Sequence, residues 1–184
     1  MPVGSADACQ YFMNKLSKQI YLLPVKHEFQ WDNGLLKTNE LNILITKIID
    51  KTSIDLIGEE FSNEALRGLP NNTEATIAQI IAKKLNVKHE FCDPDTDMRI
   101  RIRYPTKEQM IKKFGLKSSL EGTSEYKKRK EYEKTFWPVR EKYWLDKIQN
   151  TNARNIIFLC GSSHFQSFKS LLTENKYIVK VIKI

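Results

Sequence analysis

Histidine is scarce in this chain, three among 184 residues. Two of the three, His27 and His164, stand just after short apolar runs. Acids stand at comparable places: Glu59 and Glu60 after Ile54 to Ile57, and Asp93 and Asp95 after Val87 to Cys92. Histidine with carboxylate is the pairing needed for general acid–base work near neutral pH, or for holding a divalent ion. Gln30 follows His27 by three residues, and Ser162 and Ser163 precede His164, so each cluster also carries neutral hydrogen-bonding groups. Arg140 and Glu141 form a further charged pair just after Pro138. An arginine there suits a bound phosphate or carboxylate, or holds a neighbouring acid in its charged form.

Each of these residues also has a plainer reading. Glu59 and Glu60 can be first-turn acids that complement a helix dipole. Asp93 can be a turn former before Pro94, Arg140 and Glu141 an exposed helix pair, and His27 a satisfied residue at a strand end. His89 falls inside an apolar run and reads as structural. Cys160 precedes a glycine at a strand end and could act as a nucleophile with His164; since it closes an apolar run, it reads better as a buried thiol.

The elements that must bring these groups together follow from hydrophobic patterning. Ile20 to Val25, Ile54 to Ile57, Val87 to Cys92, Asn155 to Cys160 and Tyr177 to Ile184 are short apolar runs and read as strands. Leu41, Leu44, Ile45, Ile48 and Ile49 recur at helical spacing, as do Ile77, Ile80, Ile81 and Leu85. Ser62 or Asn63 is placed to cap a further helix. Ile100 to Tyr104 reads as an extended connector, Thr106 to Phe114 as a short helix and Leu116 to Thr123 as a loop. Ser124 to Gln149 is helical in composition, and Pro138 must kink or restart it. Phe165, Phe168, Leu171 and Leu172 mark a last helix. Strands alternating with helices point to an α/β fold: one domain, 19–184, with a mostly parallel sheet of about five strands covered by helices. Residues 1–18 read as a leader or flexible N-terminus. In such sheets ligands lie beyond the carboxyl ends of the strands, where His27, Gln30, Glu59, Glu60, Asp93, Ser162, Ser163 and His164 all fall.

The bulk composition narrows the class. No apolar run is long enough to span a bilayer, and no signal-peptide pattern opens the chain. Cys9, Cys92 and Cys160 are an odd, widely spaced set, which argues for a reducing, cytoplasmic compartment. The net charge is +8, concentrated between Lys107 and Lys147 with a cluster at Lys127, Lys128, Arg129 and Lys130. Tyr126, Tyr132, Phe136 and Trp137 lie nearby, so a single-stranded nucleic acid is a conceivable partner. Interleaved Glu125, Glu131 and Glu133 favour a solvated helix face instead. No phosphate-binding glycine loop and no zinc-finger cysteine spacing are present.

The segment Ile156-Ile157-Phe158-Leu159-Cys160-Gly161-Ser162-Ser163-His164 resembles the final G-x-x-H motif of the TraB/TIKI family, in which an arginine-bearing helix precedes the strand. Here Arg140-Glu141-Lys142-Tyr143-Trp144-Leu145 stands in that place. Leu22-Leu23-Pro24-Val25-Lys26-His27 resembles the first G-x-x-H motif, with Pro24 where glycine is expected. Ile57-Gly58-Glu59-Glu60 resembles the glutamate motif shared with erythromycin-esterase and ChaN-like proteins. The chain is much shorter than typical relatives of that kind. The resemblance implies a compact hydrolase-like α/β fold and a site able to use a divalent metal, with His27, Glu59 or Glu60, and His164 as ligands or acid–base groups. The expectation is therefore a small hydrolase. His27, Glu59, Glu60, Arg140 and His164 would be its catalytic groups, Gln30, Asp93, Glu141, Ser162 and Ser163 its ligand contacts, and His27, Glu59 and His164 its metal ligands. Its partner would be a small-molecule or peptide substrate, anionic if Arg140 faces it, with no membrane partner. The rivals are a binding module for an anionic small molecule or nucleotide, and a nucleic-acid-binding protein or nuclease using 127–130.

Overall fold

The structure, a computed structural model, describes residues 18–32, 34–70 and 73–183. The expected leader, apart from Lys18, lies outside the described residues. The sheet has five strands: β1 (Gln19–Val25), β2 (Leu56–Glu59), β3 (Lys88–Phe91), β4 (Asn155–Gly161) and β5 (Ile178–Val181). Their order is β3-β2-β4-β1-β5, and every pairing is parallel. The strands expected at Ile20, Ile54 and Ile156 are thus neighbours in one sheet, with β4 in the centre.

The helices are α1 (Leu36–Lys51), α2 (Asn63–Arg67), α3 (Ile77–Lys84), α4 (Thr96–Arg101), α5 (Lys107–Phe114), α6 (Ser124–Lys134), α7 (Trp137–Gln149) and α8 (Phe165–Glu174). The central strands are apolar on both faces because both faces are covered. Tyr21, Leu23, Ile57, Ile157 and Leu159 pack under α1 and α3, against Leu41, Ile45 and Ile81. Ile20, Leu22, Leu56, Ile156 and Phe158 pack under α7 and α8, against Trp144, Leu145, Phe168 and Leu172. The chain steps from β1 through β2 to β3 along one face, then crosses back to β4 and out to β5 along the other. Right-handed crossovers require this change of face when the direction of stepping reverses. The exit of β4 therefore turns to the opposite face from the exits of β1 and β2 on either side of it. That divergence opens the crevice in which doubly wound sheets bind ligands.

Several local expectations need correction. The second strand is Leu56–Glu59 rather than Ile54 to Ile57, so Gly58 and Glu59 lie within it and Glu60 alone follows it. Ile100 and Arg101 are not extended: they end α4, whose N-cap Asp95 accepts a hydrogen bond from the Met98 amide at 2.8 Å. The cap satisfies an orphan amide and nucleates a turn that charge alone did not suggest. The helix marked by Ile77, Ile80, Ile81 and Leu85 starts at Ile77, where Thr76 and Gln79 close a capping box. The long helical stretch is two helices, with Pro138 in the first turn of the second, where its missing N–H is not needed. Pro24 is tolerated in central β1 for a related reason. Leu22 accepts from Ile182 on the β5 side, residue parity points Pro24 the same way, and β5 pairing ends at Leu22.

Candidate active site at the carboxyl ends of β1, β2 and β4

Glu60 is the hub. Its amide donates to the Leu159 carbonyl at 2.8 Å, which anchors it beside β4 as β2 ends. Its Oε2 accepts from the Gly161 amide at 2.6 Å. Its Oε1 lies 2.9 Å from Arg140 Nη2, close enough for an ion pair, yet no donor presents a hydrogen to it along a hydrogen-bond direction. The Glu60 side chain is 1% exposed. Two histidine nitrogens face this oxygen: His27 Nε2 at 3.6 Å and His164 Nε2 at 3.9 Å. Gly161 lets these groups close up, since a Cβ there would sit 3.2 Å from both Glu60 Oε2 and His27 Nε2.

Arg140 comes from α7 and is 11% exposed. Its Nε donates to Asp93 Oδ1 at 2.6 Å, and Nη1 approaches His164 Nε2 at 3.3 Å. Burial works against the Arg140 charge, but Asp93 and Glu60 outweigh it and hold the guanidinium firmly protonated. Asp93 also accepts from Trp144 Nε1 at 3.1 Å and Arg99 Nη2 at 3.0 Å. Burial alone would raise the Asp93 pKa; the Arg140 and Arg99 charges reverse that and hold it below the ordinary carboxylate value. Asp93 is therefore no bare turn former, and Arg140 is no exposed helix residue.

His164, 4% exposed, ends the turn after β4. Its ring lies between Trp137, centroids 4.2 Å apart, and Trp144, at 5.1 Å. Its Nδ1 is 2.8 Å from Glu141 Oε1, which also accepts from Ser167 Oγ at 2.6 Å. A carboxylate only accepts and a guanidinium only donates. The neutral ring must then carry its hydrogen on Nδ1 and present the Nε2 lone pair to Arg140 and Glu60. His27 sits on a short 3-10 turn, His27–Phe29, directly after β1. Its Nδ1 is 2.8 Å from Gln30 Oε1, and at 49% exposure it is the part of the cluster most open to solvent.

Glu59 belongs to a second, adjoining network. Its Oε2 accepts from Gln30 Nε2 at 3.0 Å. Its Oε1 accepts from Thr76 Oγ1, and from His89 Nε2 at 2.7 Å. Both oxygens are thus engaged away from His164, and Glu60 is the glutamate that faces both histidines. Ser162 and Ser163 are exposed on the turn before His164.

His89, Thr76, Trp137 and Ser167 were not singled out as site residues in the sequence. Strand parity offered one signal, since it places His89 on the same sheet face as Ile57, its register partner, and Glu59. Thr76 and Ser167 carried none, because their partners are distant in sequence. A cleft of about 840 Å³ runs along α3 and β3 between Glu74, Ile80, Lys83 and His89. It touches the cluster only through His89.

A divalent ion does not fit this arrangement. Among the described residues no group of three His, Cys, Asp or Glu is disposed to hold one. The space between Glu60 Oε1 and His164 Nε2, where such an ion would have to bridge them, is approached by both terminal nitrogens of Arg140. Cys160 is fully buried among α7 and α8 residues, and burial pushes its thiol well up, so it is no nucleophile. In the basic segment, Lys127 and Lys128 are exposed. Arg129 and Lys130 are partly buried and approach Glu133 at 3.9 and 3.4 Å. The nearby aromatics are used in packing: Tyr132 lies against Phe114 and Phe136, and Trp137 against His164.

Fold and site together define an α/β protein with a polar cluster of histidines and acids at the carboxyl ends of the central strands of an all-parallel sheet. Compared with family models, curated proteins and solved structures, the chain matches none. No helix among the described residues is long and apolar enough to cross a membrane.

Proposed function

We propose that the chain is a small hydrolase in which Glu60, His27 and His164 activate a water molecule. One observation carries this reading: three acceptors, Glu60 Oε1 and the two Nε2 atoms, converge within 3.6 to 3.9 Å, and Glu60 Oε1 receives no hydrogen bond. With Glu60 Oε1 buried behind it, His27, 49% exposed, is the member that a water can meet, at an ordinary hydrogen-bond distance of about 2.8 Å. As its oxygen attacks an acyl carbon, its proton passes to His27 Nε2, the more accessible base, and from there to the leaving group.

Arg140 pairs with Glu60 at 2.9 Å and approaches the His164 lone pair at 3.3 Å. Its own charge is matched by Glu60 and Asp93, so it has little left for an incoming anion. The reading therefore favours an uncharged ester or amide over an anionic substrate, with Ser162 and Ser163 as contacts at the rim. The likeness to the TraB/TIKI motifs agrees with hydrolysis and adds the same histidines.

The test is a panel of chromogenic esters and amides, neutral, cationic and anionic, assayed with and without chelator. We expect turnover of at least one neutral member, unaffected by chelator. Glu60→Gln and His164→Ala should each lower it by about 100-fold or more with the circular dichroism spectrum unchanged. A His27→Ala/His164→Ala double variant as active as the parent would overturn the proposal.

A further inference from the structure

We infer that Glu59 and Gln30 are positioning residues that set which nitrogen of His27 carries its hydrogen, and that His89 is the far anchor of the same chain. The argument starts at Glu59, which is fully buried. As a carboxylate it can only accept hydrogen bonds. Gln30 must then turn its Nε2 toward Glu59 Oε2, at 3.0 Å. That leaves Gln30 Oε1, an acceptor, 2.8 Å from His27 Nδ1. His27 must donate from Nδ1, so in the neutral ring Nε2 is bare and faces Glu60 Oε1 at 3.6 Å.

Gln30 cannot turn its amide over to relieve this constraint, because that would set its Oε1 against Glu59 Oε2, acceptor against acceptor. It is completely buried, and its place is fixed by its own amide donating to the His27 carbonyl at 2.9 Å and by Ile77 donating to its carbonyl at 2.7 Å. At the other end, His89 Nε2 and Thr76 Oγ1 both donate to Glu59 Oε1, and so keep Glu59 from turning toward the crevice. Glu141 does the corresponding work for His164 directly, through Nδ1 at 2.8 Å. Two carboxylates on opposite faces of the sheet thus prepare two imidazoles in the same state, with both lone pairs aimed at one oxygen. Neither Glu59 nor Glu141 touches substrate in this scheme.

The inference deepens the hydrolase reading and rests on it only for its effect on turnover, because the ring state is measured without any substrate. The chain has three histidines, so long-range 1H–15N spectra of the imidazoles account for all of them. In the wild-type protein, at a pH where the rings are neutral, we expect His27 and His164 to carry hydrogen on Nδ1 and His89 on Nε2. Glu59→Gln replaces an acceptor-only group by an isosteric one with a donor, so one end of the chain must give way. Either His27 moves its hydrogen to Nε2 or His89 moves its own to Nδ1, while His164 stays unchanged as the internal control. Should Glu59→Gln fail to fold, Gln30→Leu removes the Nδ1 partner of His27 outright and shifts that ring alone. A wild-type His27 protonated on Nε2, or a folded Glu59→Gln protein in which no ring changes, would overturn the inference. If these spectra come out as expected while no substrate is turned over, the positioning stands and the hydrolase reading fails. If hydrolysis is established, Gln30→Leu should lower kcat by about 10- to 100-fold with KM little changed.

Discussion

At the scale of single residues, Asp93 ties the site to stability. It is buried, and its pKa is held below the ordinary value of 3.8. Burial alone would push the other way; the Arg140 and Arg99 charges decide the sign. A carboxylate with a depressed folded-state pKa contributes stability that is fully present above its unfolded value, about 3.9, and is lost as pH falls through the folded value. Glu133 behaves alike: burial raises it, and Lys130, the Tyr104 hydroxyl, Arg140 and Arg129 together lower it. Urea unfolding measured from pH 7 down to pH 3 should show stability falling below about pH 4 to 5. Asp93→Asn should be less stable at pH 7 by about 3–5 kcal/mol, because it leaves a buried guanidinium short of a partner. The Asn variant should also lose stability more gently on acidification. Parallel pH curves for the two proteins would contradict this account of Asp93.

At the scale of elements, the close approach of β2 and β4 rests on glycine. Gly161 closes β4 against Glu60 and His27, and Gly58 lets β2 pass the Phe158 ring, which a Cβ would meet at 2.9 Å. The two substitutions should therefore separate. Gly161→Ala should cost about 1–3 kcal/mol and also move the His27 imidazole 15N shifts, because its Cβ presses on that ring. Gly58→Ala should cost a similar amount and leave those shifts alone, because its clash is within the core. Equal effects on the His27 ring would mean that Gly161 is only a packing residue. The helices around the site show how far local signals carry. Thr76 is identifiable from sequence as a cap for α3, through Gln79 three residues on, but the same hydroxyl also donates to Glu59 seventeen residues away. No local pattern encodes that second bond.

At the scale of the whole molecule, the +8 charge is spread unevenly between solvent and interior. Lys127 and Lys128 are exposed, whereas Arg129 stacks on Tyr126 at 5.2 Å and has a buried Nε without a hydrogen-bond partner. Charge reversal at Lys127 and Lys128 should change the unfolding free energy by no more than about 0.5 kcal/mol per site. Arg129→Glu should cost distinctly more, since it sets like charges on Glu133 in a half-buried place. Thermal or urea unfolding of the three variants decides this, and a large loss from Lys127→Glu/Lys128→Glu would make the basic helix a structural interface.

The sequence by itself determined the architecture and the neighbourhood of the site. Apolar runs of strand length separated by amphipathic helices suffice for a parallel sheet covered on both faces, since only burial on both sides allows such strands. The ends of β1, β2 and β4, located to within two residues, put His27, the Glu59–Glu60 pair and His164 at one edge. What only the tertiary structure decided is who partners whom. Glu59 and Glu60 are adjacent and chemically identical, yet the pleat sends one toward Thr76 and His89 under α3 and the other toward Arg140 and His164 under α7. A slip of a single residue in the register of β2 would exchange those roles, because side-chain direction alternates with every residue. Arg140 likewise reads either as a site group or as an exposed helix residue until the return of the chain from β3 buries it against Asp93, forty-seven residues earlier. Periodicity is a property of one segment, whereas the charge and hydrogen-bond balance of a buried group depends on every segment packed around it.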